Sequence, residues 1–296
     1  MRVPLSTLLL LATLQTSAQS DYNIFLSFSD KESLQQNRKL SSLTEFQLSK
    51  QGSRTKTLTT QFNSKGLPIA IIQYDPQGQV ILQKEFIYDP SDNITSIQTN
   101  KNKNHESSTE FEVNQLGQIT AFTDYVYSSY DGKKTFVWTT MLEYNSNNTL
   151  KKVIRLERDK RDTTRVDFFN TNGVKTKTLM NMGGLRTVKI EYAYNNDSTE
   201  MLEKHYEDAA TIYYTVTHKY KDKREIEKID LATSEKPFYW KYDRDGRVIE
   251  TNEAIYYVTY YRYNSEGYLI NKTAKAIHSD SDLPKKFEFK YDYDFR

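Results

Sequence analysis

The chain contains no cysteine among its 296 residues. That removes disulfides, thiolate metal sites and cysteine nucleophiles together. Glycine (10) and proline (6) are scarce, so where they occur they punctuate turns. Neither sign of charge dominates, with 41 Lys and Arg against 39 Asp and Glu, a formal net charge of +2. This near-balance argues against nucleic acid, which calls for a strongly basic face. Past the first residues, no apolar run approaches the roughly 18 residues of a membrane-spanning helix. Apolar residues are few (37%) while aromatic ones are many (13%). A thin sheet covered by tyrosine rings fits that mixture better than a thick core.

The longest apolar stretch lies at the N-terminus. Arg2, the run Leu8 to Leu14 and the small-residue site Thr16-Ser17-Ala18 before Gln19 have the form of a secretory signal peptide over residues 1–18. No Cys follows the site, so no lipid anchor is expected. Without Arg2 the charge becomes 40 − 39, or +1. The composition, rich in Lys, Asn and Tyr, looks like a Bacteroidota-type export product.

What recurs is an aromatic or apolar residue, then Asp or Asn, then a turn. The sharpest copy is Tyr242-Asp243-Arg244-Asp245-Gly246-Arg247-Val248. Others start at Phe62, Tyr74, Val113, Phe169 and Tyr263 and carry Gly in the fifth position. The Asx side chain accepts a local backbone N–H at the first position of a type I turn. The Gly supplies the positive φ that closes a three-residue loop with a bulge. Asp92 and Asn148 fill that slot where Gly is absent, as residues that tolerate the left-handed region. Ser198 fills it after Tyr194, and the copy at Tyr220 lacks both Asx and Gly, so longer or irregular turns are expected there. The central copies recur about every 21 to 26 residues, the length of one hairpin with its connections. Segments between turns, such as Thr211 to Tyr220 and Tyr256 to Tyr263, are β-branched and aromatic.

The form Y-D-x-x-G-[R/Q]-[V/I/L] resembles the YD repeat of RHS-type proteins over roughly residues 55–296. The resemblance implies a curving sheet of stacked hairpins, in a short, open and exported member without cargo. The expected fold is therefore all-β, an elongated array of antiparallel hairpins. Residues 19–54 are expected to form an N-terminal cap, with a short helix over Lys31 to Leu40 after Ser29 or Asp30. Residues 55–296 would be the repeat domain. Tyr291-Asp292 announces a further turn that the chain does not complete, which suggests an open edge able to accept a strand from another protein.

Catalytic signals are sparse. His105, His205, His218 and His278 are far apart and lack metal-ligand spacing. His218 reads as a packed or surface imidazole within a strand. Asp243 with Asp245, and Asp280 with Asp282, are fragments of a calcium loop without its remaining ligands. Neither catalysis nor a cofactor or metal is expected. Two groups remain as binding candidates. One is aromatic: Tyr239, Trp240, Tyr256, Tyr257, Tyr260 and Tyr261, with Trp138 read as a cross-strand packing residue. The other is the basic stretch holding Arg155, Arg158, Lys160 and Arg161, suited to acidic partners or anionic lipid headgroups.

These features predict a non-catalytic, exported, periplasmic or extracellular envelope protein that binds a protein partner. One concrete form is a plug or accessory of an outer-membrane, type IX-like secretion translocon. A carbohydrate-binding protein using Tyr and Trp faces is the alternative. An outer-membrane barrel is disfavoured because Lys and Glu recur too often in the strands for a continuous apolar band.

Overall fold

The computed structural model describes residues 37–49, 51–102, 104–157, 162–181, 187–206, 211–222, 224–230, 237–252, 257–277 and 285–295. The signal-peptide segment lies outside them. Twenty strands follow in order. They are β1 (Leu40–Leu48), β2 (Arg54–Phe62), β3 (Pro68–Tyr74), β4 (Val80–Tyr88), β5 (Ile94–Lys101), β6 (Asn104–Val113) and β7 (Ile119–Tyr127). Next come β8 (Lys134–Tyr144), β9 (Leu150–Glu157), β10 (Asp162–Phe169), β11 (Lys175–Asn181), β12 (Thr187–Tyr194), β13 (Glu200–Tyr206) and β14 (Ile212–Lys221). The last are β15 (Arg224–Ile229), β16 (Phe238–Tyr242), β17 (Val248–Thr251), β18 (Tyr257–Tyr263), β19 (Leu269–Ala276) and β20 (Lys286–Phe295).

The recurring turn takes the geometry its residues dictate. In the sharpest copy Asp243 N–H donates to Arg247 O (2.9 Å) and Gly246 N–H to Asp243 O (3.0 Å). The Asp243 carboxylate accepts from the N–H groups of Asp245 and Arg247, both at 2.9 Å. Gly246 has φ 78°, while Asp92 (66°), Asn148 (64°) and Ser198 (57°) adopt the same region without being glycine. The register slips by one residue at the motif aromatic, between Lys241 and Tyr242 and between Arg262 and Tyr263, which is the bulge the turn requires. The turn after Tyr194 is longer, with Asn195 N–H reaching Glu200 O. The one after Tyr220 is instead tight, since Lys221 pairs directly with Arg224.

The turns also sort by end. Antiparallel connections alternate between the two ends of a sheet. Asn63–Leu67, Asp89–Asn93, Asn114–Gln118, Asn145–Thr149, Asn170–Val174, Asn195–Thr199, Asp243–Arg247 and Asn264–Tyr268 all join an even-numbered strand to the next odd one. The Tyr74 copy lies at the opposite end, as does the Ser49–Ser53 turn closed by Gly52. The period of the motif is therefore one strand pair.

Tyrosines bind successive turns together. Tyr88 Oη donates to Pro68 O (2.8 Å) and Tyr144 Oη to Ile119 O (2.8 Å). Tyr263 Oη donates to Val248 O (2.9 Å) and Tyr293 Oη to Leu269 O (2.8 Å). Each acceptor opens the strand after the preceding turn at the same end. Burial raises the pKa of all four phenols. Tyr263→Phe should therefore cost about 1–2 kcal/mol by leaving the Val248 carbonyl unpaired. Tyr260→Phe, at an exposed ring, should change stability by less than about 0.5 kcal/mol. Equal effects in denaturant melts would refute the latch.

Two expectations are corrected. All twenty strands belong to one sheet, and β1 pairs antiparallel with both β2 and β20, Leu40 standing opposite Phe295 and Gln47 opposite Phe289. The sheet closes on itself as a barrel, not as an elongated open array, and Tyr291-Asp292 lies inside the closing strand. No open terminal edge remains there. No helical element occurs among the described residues. Of the segment expected as a helical cap, residues 19–36 lie outside the described residues, while Leu40–Leu48 form β1 and Arg54 opens β2. Register shifts at Leu40/Ser42 against β20 and at Glu45/Phe46 against β2 break the alternation of β1. The sequence period is therefore hidden, while pairing on both sides satisfies the backbone.

By contact density the chain divides into two units. The first comprises residues 1–109, 127–132 and 240–296. On its packed face Thr60, Ile71, Lys84 and Thr99 form one cross-strand row, and Phe86 pairs with Ile97. Ile71 and Ile97 are fully buried. The closing strand places Glu45 on that face, 8% exposed. Its carboxylate accepts from Tyr291 Oη (2.8 Å) and Thr57 Oγ1 (2.7 Å). The second unit comprises residues 110–126 and 133–239. Its buried residues include Asp124, Asp167 and Asp230.

Candidate functional site

Strand alternation builds the site in the second unit. Glu203 and His205, two apart on β13, share a face. Pairing of Met201 with His218, Glu203 with Val216 and His205 with Tyr214 sets His218 diagonal to Glu203. The tight turn after β14 then brings Glu225 of β15 back beside His218. Glu203 lies between the two imidazoles, at 2.5 Å from His205 Nε2 and 3.4 Å from His218 Nε2. His218 Nδ1 donates to Glu225 at 2.5 Å. His205 stacks on Tyr214 with ring centroids 4.0 Å apart.

The electrostatics follow from this enclosure. Burial opposes charge on His218, but contacts with Glu203 and Glu225 outweigh it and push its pKa up to about 9. Burial likewise works against the Glu203 carboxylate, and the two histidines hold it below its usual value. His218 and Glu203 are therefore both ionised at neutral pH.

A second cluster centres on Asp167 of β10. Arg165, on the same face, donates through Nε (3.0 Å) and Nη2 (3.2 Å). Lys175 Nζ approaches at 2.8 Å, and Thr178, opposite on β11, donates a short hydrogen bond. Burial would raise the Asp167 pKa, yet these donors lower it. Arg155, paired with Arg165 across β9 and β10, stacks on Trp138 at 3.6 Å. Thr178 also meets Tyr192 Oη at 3.3 Å, and Tyr192 faces Glu203 across β12 and β13. One polar band thus runs from β9 to β15.

Its carboxylates are taken by the chain's own cations. Among the described residues no group of three or more His, Asp or Glu has the arrangement to hold a metal ion. Asp243 and Asp245 are occupied by their turn and by Arg247.

The binding candidates are not gathered into one surface. Trp240 is buried and Tyr239 and Tyr261 are half-buried. Tyr257 packs near Phe287 at 5.5 Å, and Tyr260 is exposed beneath Lys275 at 5.3 Å. Arg155 turns onto the packed face, where burial lowers its pKa. Tyr256, Arg158, Lys160 and Arg161 lie outside the described residues, as do His278, Asp280 and Asp282. Sequence reasoning missed Glu203 and Asp167, and weighed His205 only as one of four histidines without metal-ligand spacing. The i, i+2 spacing of Glu203 and His205 was the available signal, with His218 on the following strand.

No family model and no curated protein matches the chain. Among solved structures it is similar to a chain of a TcdB2-TccC3-TEV crystal structure, at 11% identity and TM-score 0.36. That match covers 84% of this chain and 14% of the other, so the chain spans about a seventh of that protein. It is also similar to a porin-like protein from Bacteroides uniformis ATCC 8492, at 11% identity and TM-score 0.40, covering 86% of this chain and 96% of that one. Neither likeness assigns a function. No helix of the described residues is long and apolar enough to cross a membrane, which says nothing of strands.

Proposed function

We propose that the protein is a non-catalytic, exported component of the cell envelope whose closed sheet is a scaffold for a protein partner. The observation that carries this reading is the self-neutralised polar band, in which Asp167, Glu203 and Glu225 all face cations of the same chain. A buried group held this way favours a fixed arrangement over proton transfer to a substrate. The face opposite the packed one supports contact with water: Glu143, Lys152, Phe168, Lys177, Glu191 and Lys204 form one cross-strand row. Such a row is unsuited to the apolar band of a membrane-spanning barrel. The signal-peptide-like N-terminus is consistent with export, and the recurrent turn with a YD-repeat relative.

The finer reading is an accessory or plug of an outer-membrane secretion translocon. In-cell cross-linking followed by mass spectrometry should then recover a large envelope complex, and osmotic shock should release the protein without detergent. Recovery only in detergent, with no cross-linked protein partner, would overturn the proposal.

A further inference from the structure

The non-packed face of the second unit carries one level that differs from the rest. Met141, Ile154, Val166 and Leu179 are consecutive cross-strand partners on β8 to β11. The row continues through Lys189, Tyr206 and Ile212 on β12 to β14. Lys189 Nζ lies over the Tyr206 ring at 3.7 Å, so its stem extends the apolar line. Met141 and Ile212 are 42% and 46% exposed. At about 4.8 Å per strand the belt runs about 30 Å across the sheet. In the first unit the rows that alternate with the packed one mix polar and apolar residues: Thr59, Ile72, Gln83 and Asn100 form one, Gln61, Ala70, Glu85 and Gln98 another, with Thr59 and Ala70 buried.

Lysines line the belt. Lys152 and Lys177 flank Phe168 in the adjoining row, and Lys204 follows Glu191. Lys152, Lys177, Lys189 and Lys204 stand against Glu143 and Glu191, a surplus of two positive charges (4 − 2). Glu191 is further engaged by Tyr206 Oη at 2.7 Å and by Lys189 at 3.2 Å. Protein interfaces are depleted of Lys and favour Tyr, Trp and Arg. This surface shares Met141, Phe168 and Tyr206 with the residue types of protein interfaces but adds a margin of four lysines, as in peripheral membrane contacts.

We infer that this belt docks the protein on an anionic bilayer surface, the aliphatic row entering the headgroup boundary and the lysines meeting lipid phosphates. One row of side chains spans only about 7 Å along the strands, against the roughly 30 Å of a hydrocarbon core. The contact therefore lies on the bilayer without crossing it. It does not depend on the scaffold reading.

Flotation of the full chain with vesicles tests it. Binding is expected to phosphatidylcholine vesicles containing phosphatidylglycerol, to weaken with salt, and to be far weaker to phosphatidylcholine alone. Lys152→Glu with Lys177→Glu should reduce binding by more than tenfold, since each near-surface lysine contributes about fivefold. Ile154→Thr with Leu179→Thr should do the same through loss of apolar contact, Thr being suited to strands. Thermal melts of both pairs establish that the fold persists, a control needed because Lys152 and Lys177 are half-buried. Equal binding to neutral vesicles, no binding at low salt, or unchanged binding of the folded charge pair would each overturn the inference. So would a protein captured by the belt in place of lipid.

Discussion

Glu203→Ala should destabilise the protein by about 3–5 kcal/mol, the loss expected when one member of a buried ionic cluster is removed. The side chains of Glu203, His205 and His218 are only 18%, 14% and 12% exposed. Without the carboxylate, the two rings face each other across a vacated polar site and His218 keeps only Glu225. Glu203→Gln retains an acceptor without the charge and should fall between parent and Ala. The same cluster sets a pH profile. His218 has a folded pKa of about 9 against the ordinary 6.5 of a free imidazole. Its contribution is fully present below about pH 6.5 and is lost as pH rises through about 9, a fall of about 3 kcal/mol. Glu203 has a lowered pKa, so its contribution is present above about pH 4.5 and is lost as pH falls. Stability from this cluster should therefore peak between about pH 4.5 and 6.5. An NMR titration of His218 with a midpoint near 6.5, or flat denaturant stability from pH 6 to 10, would show that the carboxylates do not hold the ring.

The turns were legible because their chemistry is local. Asp243 and Gly246 need only each other to specify a reversal, and Asp92 and Asn148 could be named as substitutes from backbone sterics alone. Closure was not legible, because Leu40 and Phe295 meet across nearly the whole chain and no local period records that contact. The same gap hid β1, whose alternation is interrupted by two bulges. The polar band was half visible: strand parity places Glu203 beside His205, but the pairing of β13 with β14 was needed to bring His218 within reach. Arg155 illustrates the opposite failure. Its neighbours suggested a solvated basic patch, yet alternation on β9 turns it inward over Trp138.

A chain beginning at Ser53, lacking β1, should assemble into larger species than the full-length chain. Removing β1 uncovers the full lengths of β2 and β20, whose unpaired N–H and C=O groups become templates for other chains. The loss reaches beyond the backbone. Tyr291 and Thr57 both donate to the Glu45 carboxylate, and burial already pushes the Lys272 pKa down against the opposing pull of Glu45. Without Glu45 the Tyr291 hydroxyl, on a ring only 5% exposed, has lost its acceptor. Glu45→Ala alone should therefore cost about 1–3 kcal/mol for each buried hydroxyl left without its acceptor, with faster amide exchange in β1 and β20 than in β3 to β5. Size-exclusion chromatography of the shortened chain should show aggregates or strand-exchanged oligomers. A synthetic peptide spanning Leu40–Leu48 should return it to the size of the full-length chain by refilling the gap between β2 and β20. A shortened chain that elutes and melts like its parent would mean that the barrel does not depend on β1 to close.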